Sequence, residues 1–144
     1  MQRENIPHEL LPHPHTETAR DEALAVGLLE VAKTIVVFTD RGYVRTVIPA
    51  DGRLDLHKIR AALESGKDTR LATEEELAEA YPMFEIGAVP PFGGPTGDRG
   101  IIDRRLADRD ALVFAAGTHD ESVRLRTRDV IRLAEAVIAD ICED

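Results

Sequence analysis

The sequence predicts an α+β fold, a mixed, twisted sheet with helices packed around it, and three observations carry the prediction. Two β-branched runs, residues 31–38 and 43–48, are separated by little more than Asp40-Arg41-Gly42, which leaves room for a hairpin and none for a helical crossover. Further short apolar runs, at Ile101-Ile102-Asp103 and at residues 111–116 and 122–126, supply more strands than a helical bundle would need. Between these runs lie segments with helix caps and stops. Residues 1–144 read as one domain, since no repeat, low-complexity stretch or linker divides them and the length suffices to bury a core.

The elements follow in chain order. Residues 8–11 make a short edge strand before the turn at Pro12 and Pro14. A helix runs from about Thr16 or Glu17 to Val26, with Ala19, Ala23 and Val26 on one face and Gly27 as its stop. The hairpin comes next. Asp55 is the N-cap of a helix that reaches about Ser65 and is closed by Gly66. Thr73 opens another, with Glu76 three positions on in a capping box, and Pro82 bars its continuation. The later strands are joined by Gly117-Thr118-His119-Asp120-Glu121. Thr127 then caps a final helix whose apolar face is Val130, Ile131, Ala134, Val137, Ile138 and Ile141.

Composition narrows the function classes. Tryptophan is absent, so packing rests on Leu, Ile, Val and Ala. The single cysteine, Cys142, excludes an intramolecular disulfide and suits a reducing compartment. No apolar run approaches membrane-spanning length, and the polar start Met1-Gln2-Arg3-Glu4-Asn5 is unlike a secretory signal. A cytoplasmic protein without membrane contact is expected. The net charge of −9 argues against broad, non-specific nucleic-acid binding. Arginines nonetheless gather at Arg99, Arg104, Arg105 and Arg109, and again at Arg124, Arg126, Arg128 and Arg132. A protein that grips only one end of an RNA needs a single such patch.

Two features carry chemistry. Gly87, Ala88, Val89, Pro90, Pro91, Phe92 and Gly93 form a stiff loop, bounded by glycines that admit unusual backbone angles and fixed by two consecutive prolines without amide donors. Lys33 places one ammonium among apolar neighbours on the first strand of the hairpin. A rigid backbone loop and a partly desolvated lysine point to a pocket that works by positioning. Each has a plainer reading, the loop as a turn and the lysine as a snorkelling edge residue.

Other candidates weigh less. His13-Pro14-His15 has the spacing of some metal sites, with His119-Asp120 to complete one, but no cysteine cluster or H-E-x-x-H helix accompanies it, so no metal or other cofactor is expected. Thr118, His119 and Asp120 are too close in one turn to act as nucleophile, base and orienter. Asp103, at a strand end, either faces a site or caps a turn toward Arg104 and Arg105. Cys142 is expected on the polar side of the final helix and is no credible nucleophile.

Seven pieces in order carry a family resemblance: His13-Pro14-His15-Thr16, Ala32-Lys33-Thr34, Ile48-Pro49-Ala50-Asp51, Arg70-Leu71-Ala72, the 87–93 loop, Ile102-Asp103, and Ala116-Gly117. In these the chain resembles the YbaK/prolyl-tRNA synthetase-associated domain family of aminoacyl-tRNA deacylases, over nearly its whole length. The resemblance implies a strongly curved, partly barrel-like mixed sheet ringed by helices. It implies metal-independent hydrolysis of the ester between a wrong, small amino acid and the 3′ end of tRNA, with a synthetase as a further partner. It maps the pocket onto Lys33 and onto Gly87 with Pro91, adds His13, Thr16, Asp103 and Gly117 as candidate substrate contacts, and lets the ribose hydroxyl beside the ester assist the attacking water. Two departures stand out: Pro90 replaces a serine found in many relatives, and a leading helix of longer relatives is shortened or absent. A non-catalytic module that regulates a synthetase, or binds a small nucleotide or amino acid, is the alternative from another class. Lys33 with the intact loop favours the enzyme, and the acidic surface favours the module.

Overall fold

The computed structural model of the chain describes residues 9–12, 31–64, 69–93 and 99–144. The helix expected from Thr16 or Glu17, with His13, and the expected stop at Gly66 lie outside them. Eight strands and four helices occur among the described residues. The strands are β1 (Glu9–Pro12), β2 (Ala32–Thr39), β3 (Gly42–Pro49), β4 (Arg70–Leu71), β5 (Arg99–Asp103), β6 (Ala111–Ala115), β7 (Glu121–Arg126) and β8 (Ala136–Ala139). The helices are α1 (Leu56–Leu63), α2 (Glu74–Ala80), α3 (Arg104–Ala107) and α4 (Thr127–Ala134).

These strands form two sheets. One has the order β1-β7-β6, all antiparallel, and the other the order β4-β2-β3-β5-β8, in which β3-β5 and β5-β8 are parallel. A bridge between Val31 and Val113 joins the two. The sheet is mixed, as expected, but the described strands do not close into a barrel. The reason is local: β4 pairs only Val37 and Phe38 of β2, and β8 ends the other side with Val137 and Ile138 exposed.

The hairpin is the spine. β2 and β3 pair from Ala32–Pro49 to Thr39–Gly42, and Gly42 turns the chain at φ +113°, an angle only glycine takes readily. Period-two alternation gives the pair two buried faces. Val37, Val44 and Ile48 pack toward α1 with Ile59, Ile101 and Ile141. On the opposite face, Ala32 and Val47 meet Ile102, Leu112, Phe114 and Leu125, while Val36 packs with Tyr81 and Val89. Helix starts follow the sequence signals. The Asp55 carboxylate accepts from the amides of His57 and Lys58, and Thr73 with Glu76 makes a complete capping box. Hydrogen bonds from Arg70 hold the Glu76 carboxyl down to about 2, so the box stays charged far into acid.

The C-terminal third departs from expectation. The final helix stops at Ala134, where Glu135 adopts the left-handed conformation at φ 49°, and the next residues form β8 beside β5. Val137 and Ile138 fit a helical face by spacing, yet the open edge of β5 takes them as a strand. Gly100 permits the approach, since a Cβ there would lie 3.0 Å from the Ala134 carbonyl oxygen. Nor is Thr127 the cap: Arg126 holds that position without a side-chain bond, and Thr127 is the first helical residue. Cys142 is buried and bridged to Leu54, and burial pushes its thiol up to about 11.

Asp103 ties this region together. Its fully buried carboxylate accepts from the amides of Ile141 (3.0 Å) and Arg105 (3.1 Å), and pairs with the Arg105 guanidinium at 3.3 Å. Of the two readings of Asp103, the turn cap is the one the geometry displays. Asp103→Ala strands a buried amide and an arginine, so it should lower unfolding free energy by about 3 kcal/mol, measured by urea titration.

Candidate functional site

The 87–93 loop owes its shape to what lies beneath it. Two consecutive prolines cannot donate to a ladder, so the loop carbonyls need partners from elsewhere. Arg45 supplies them from β3. It is 2 % exposed, and its guanidinium donates to the carbonyls of Pro90 (3.0 Å) and Gly93. The same group lies 4.8 Å from the centre of the Tyr81 ring and 6.0 Å from that of Phe84. Ala88, Val89, Pro90 and Pro91 are buried, and Phe92 packs edge-on against Phe114 at 5.9 Å. Gly87 remains exposed at φ +84° and Gly93 at φ +94°. The loop is therefore clamped along its middle and open at its two glycines.

A second clamp comes from the turn between β6 and β7. The Glu85 amide donates to the Gly117 carbonyl (2.8 Å), and the Glu85 carboxylate accepts from the His119 amide (2.9 Å). The His119 ring nitrogen Nε2 lies 2.6 Å from the Ile86 carbonyl oxygen and is its donor. Gly117 sits at φ +101°, and a Cβ there would come within 2.9 Å of the Phe84 ring. Gly117 thus borders the loop as a packing element. His119, dismissed as part of a triad, instead orients the chain entering the loop.

Lys33 and the loop do not share a face. Alternation along β2 sets Lys33 with Ile35 and Val37, toward α1, whereas Thr34 shares the loop's side with Ala32 and Val36. Lys33 is half-buried, and among the described residues no carboxylate lies within ion-pair distance of its ammonium. A pocket using both must wrap around the start of β2. Thr34 is a further candidate that sequence reasoning passed over: its hydroxyl is buried and has no hydrogen-bond partner among the described residues. His13 and Thr16 lie outside those residues. No group of three or more metal-ligating side chains occurs among them either.

Arg45 was legible only as one more arginine on a strand. Replacing it with Met should free the loop carbonyls, cost about 3 kcal/mol of stability and speed hydrogen exchange at Ala88 and Phe92. Gly117→Ala should cost about 2 kcal/mol through backbone strain and the Phe84 contact, read as a lowered urea midpoint.

Comparison with known proteins agrees with this architecture. Residues 13–133 match the model of the aminoacyl-tRNA editing domain. Over 94 residues, 65% of this chain, the sequence is 32% identical to the multifunctional Ser/Thr-tRNA deacylase ProXp-y of Escherichia coli (strain K12). The match spans 55% of that relative, so the chain covers about half its length. Over 111 residues, 76% of this chain, it is 32% identical to a proline–tRNA ligase of Solidesulfovibrio magneticus, spanning 18% of that enzyme. A crystal structure described as a candidate trans-editing enzyme for prolyl tRNA synthetase matches with a TM-score of 0.85 at 29% identity, covering 95% of this chain and 87% of that one. A hypothetical protein of known structure matches with a TM-score of 0.86 at 26% identity, covering 96% and 93%. Since the matched residues take in the hairpin, the clamped loop and the turn that holds it, the chain belongs to the aminoacyl-tRNA editing domain family.

Proposed function

We propose that this chain is an aminoacyl-tRNA deacylase that removes a small, wrongly attached amino acid from the 3′ end of tRNA. The observation that carries the reading is the clamped loop, a rigid ledge with exposed Gly87 beside buried Ala88 and Val89. An aminoacyl ester is already activated. Its hydrolysis adds water across the acyl carbon and releases the ribose hydroxyl, with no covalent enzyme intermediate needed. The protein's task is to hold the amino acid, seat the water and stabilise charge on the carbonyl oxygen. In this reading the loop's backbone holds the amino acid, and the ribose hydroxyl beside the ester helps to orient the water.

Lys33 supplies fixed positive charge. Its place on the face away from the loop favours a phosphate of the terminal nucleotides over the reacting carbonyl. The names of two relatives support the substrate class, since one is a Ser/Thr-tRNA deacylase and the other a candidate editing enzyme for prolyl tRNA synthetase. A synthetase is accordingly a proposed partner, and cytoplasm the proposed compartment.

Selectivity comes from stiffness. A loop clamped by Arg45 excludes by size, and Pro90 offers an apolar wall with no side-chain donor. Alanine should be removed ahead of cysteine or serine, and large residues rejected.

Assays on tRNAs charged with Pro, Ala, Cys, Ser and Thr test the proposal, and hydrolysis of none of them would turn the reading toward a non-catalytic module. Lys33→Ala should lower the rate on the order of a hundredfold while unfolding stays cooperative. Lys33→Arg should recover only part of it, because a planar fork does not occupy the place of a compact ammonium. Pro90→Ser should change the ratio of Ala- to Ser-tRNA hydrolysis without abolishing turnover, and an unchanged ratio would remove the loop as selector. Activity should survive chelation by EDTA, checked against metal content of the purified protein.

A further inference from the structure

Lys33 lies on the face away from the loop, so charge that develops on the ester's carbonyl oxygen needs a donor from another element. The peptide between Ile86 and Gly87 offers one. The Ala88 amide donates to the Glu85 carbonyl (3.0 Å), closing a four-residue turn with Ile86 and Gly87 at its centre. Gly87, at φ +84°, matches the second central position of a type II turn, where type I requires about −90°. The two types differ by a flip of the central peptide. In a planar trans peptide the carbonyl and the N–H point in opposite directions, so the flip reverses both. Fixing the one aims the other.

His119 fixes the carbonyl. Its ring nitrogen Nε2 donates to the Ile86 carbonyl oxygen at 2.6 Å. A flipped peptide would turn that oxygen away from the ring, so the bond favours one turn type over the other. The backbone beneath the ring is held as well. The His119 amide donates to the Glu85 carboxylate (2.9 Å), and the Glu85 amide donates to the Gly117 carbonyl (2.8 Å). The Gly87 N–H, by contrast, has no partner among the described residues, and Gly87 is exposed. A hydrogen bond received by the Ile86 carbonyl also draws electron density along the peptide and strengthens the Gly87 N–H as a donor. An aimed, polarised and unpaired backbone amide is the kind of donor that stabilises a developing oxyanion.

We propose that the Gly87 amide donates to the carbonyl oxygen of the aminoacyl ester, and that His119 is the positioning residue that aims it. The inference rests on the deacylase reading. As water adds to the acyl carbon, the carbonyl π electrons move onto oxygen, where the Gly87 N–H meets the charge. The intermediate then collapses. The bond from the acyl carbon to the ribose oxygen breaks, and that oxygen takes up the proton the water gives away. His119 neither gains nor loses a proton in this sequence. It acts through the peptide, so its loss costs rate and leaves substrate binding in place. The role also accounts for glycine at position 87, since a side chain resists the φ the turn requires.

The test pairs deacylation kinetics on Ala-tRNA with the ¹H–¹⁵N signal of the Gly87 amide, both in the full chain. His119→Phe keeps a ring and removes the donor. It should lower kcat at least about tenfold with KM within about twofold, and it should shift the Gly87 signal. His119→Gln places an amide donor near the position of Nε2, and should recover most of the rate together with the wild-type signal. A merely structural histidine would lower the urea midpoint in His119→Phe and leave kcat of the folded variant unchanged, which would overturn the inference while the deacylase reading stands. A Gly87 signal unmoved in His119→Phe would overturn it too, because the ring would then not hold the turn. So would His119→Gln as slow as His119→Phe, since the ring and not its donor would matter. If wild type hydrolyses none of the tRNAs charged with Pro, Ala, Cys, Ser or Thr, the deacylase reading and this inference fall together.

Discussion

A buried guanidinium holds the candidate site together. Removing an arginine from water is expensive, and the cost is met here by carbonyl dipoles and aromatic faces. The arrangement answers a problem set by the loop itself. Pro90 and Pro91 give it rigidity but remove the donors that would tie it to a strand. Its carbonyls would otherwise be buried without partners. Arg45 satisfies two of them from one side chain, and the fork's fixed geometry fixes the distance between Pro90 and Gly93. The aromatic wall of Tyr81 and Phe84 that receives the guanidinium also leads the chain into the loop. Loop, wall and β3 are consequently one packed unit.

That unit is connected to the second sheet through the turn after β6. Gly117 accepts from the Glu85 amide and His119 reaches Ile86, so the entrance to the loop is fixed by an element on the opposite sheet. Phe92 closes the other side against Phe114 of β6. The loop is thus where the two sheets meet, and its conformation reports on their relative position. On the proposed deacylase reading, a substrate wall made by this loop would be stiff, because the loop is held from both sheets.

Local chemistry was readable from the sequence where local chemistry decided the outcome. The Asp40-Arg41-Gly42 turn, the Asp55 cap and the Thr73–Glu76 box each specify a structure within four residues, and each forms. Where tertiary pairing decides, the pattern was ambiguous. Val130, Ile131, Ala134, Val137, Ile138 and Ile141 satisfy a helical period, but the free edge of β5 converts the last part into β8. The site shows the same division. The glycines and prolines announce a rigid loop, yet nothing in the spacing from position 45 to position 90 tells that Arg45 lies beneath it. Strand parity could have separated Lys33 from Thr34, because alternation is a local rule. Which face carried the loop was a matter of long-range packing and stayed hidden.

The charge distribution follows the same logic of division. Arg104 and Arg105 neutralise Asp103, Asp140 and Asp144, and Lys58 joins them by bonding Asp140, Asp144 and the Cys142 carbonyl. This acid-rich knot pins the chain end to α1 and keeps its charges paired among themselves.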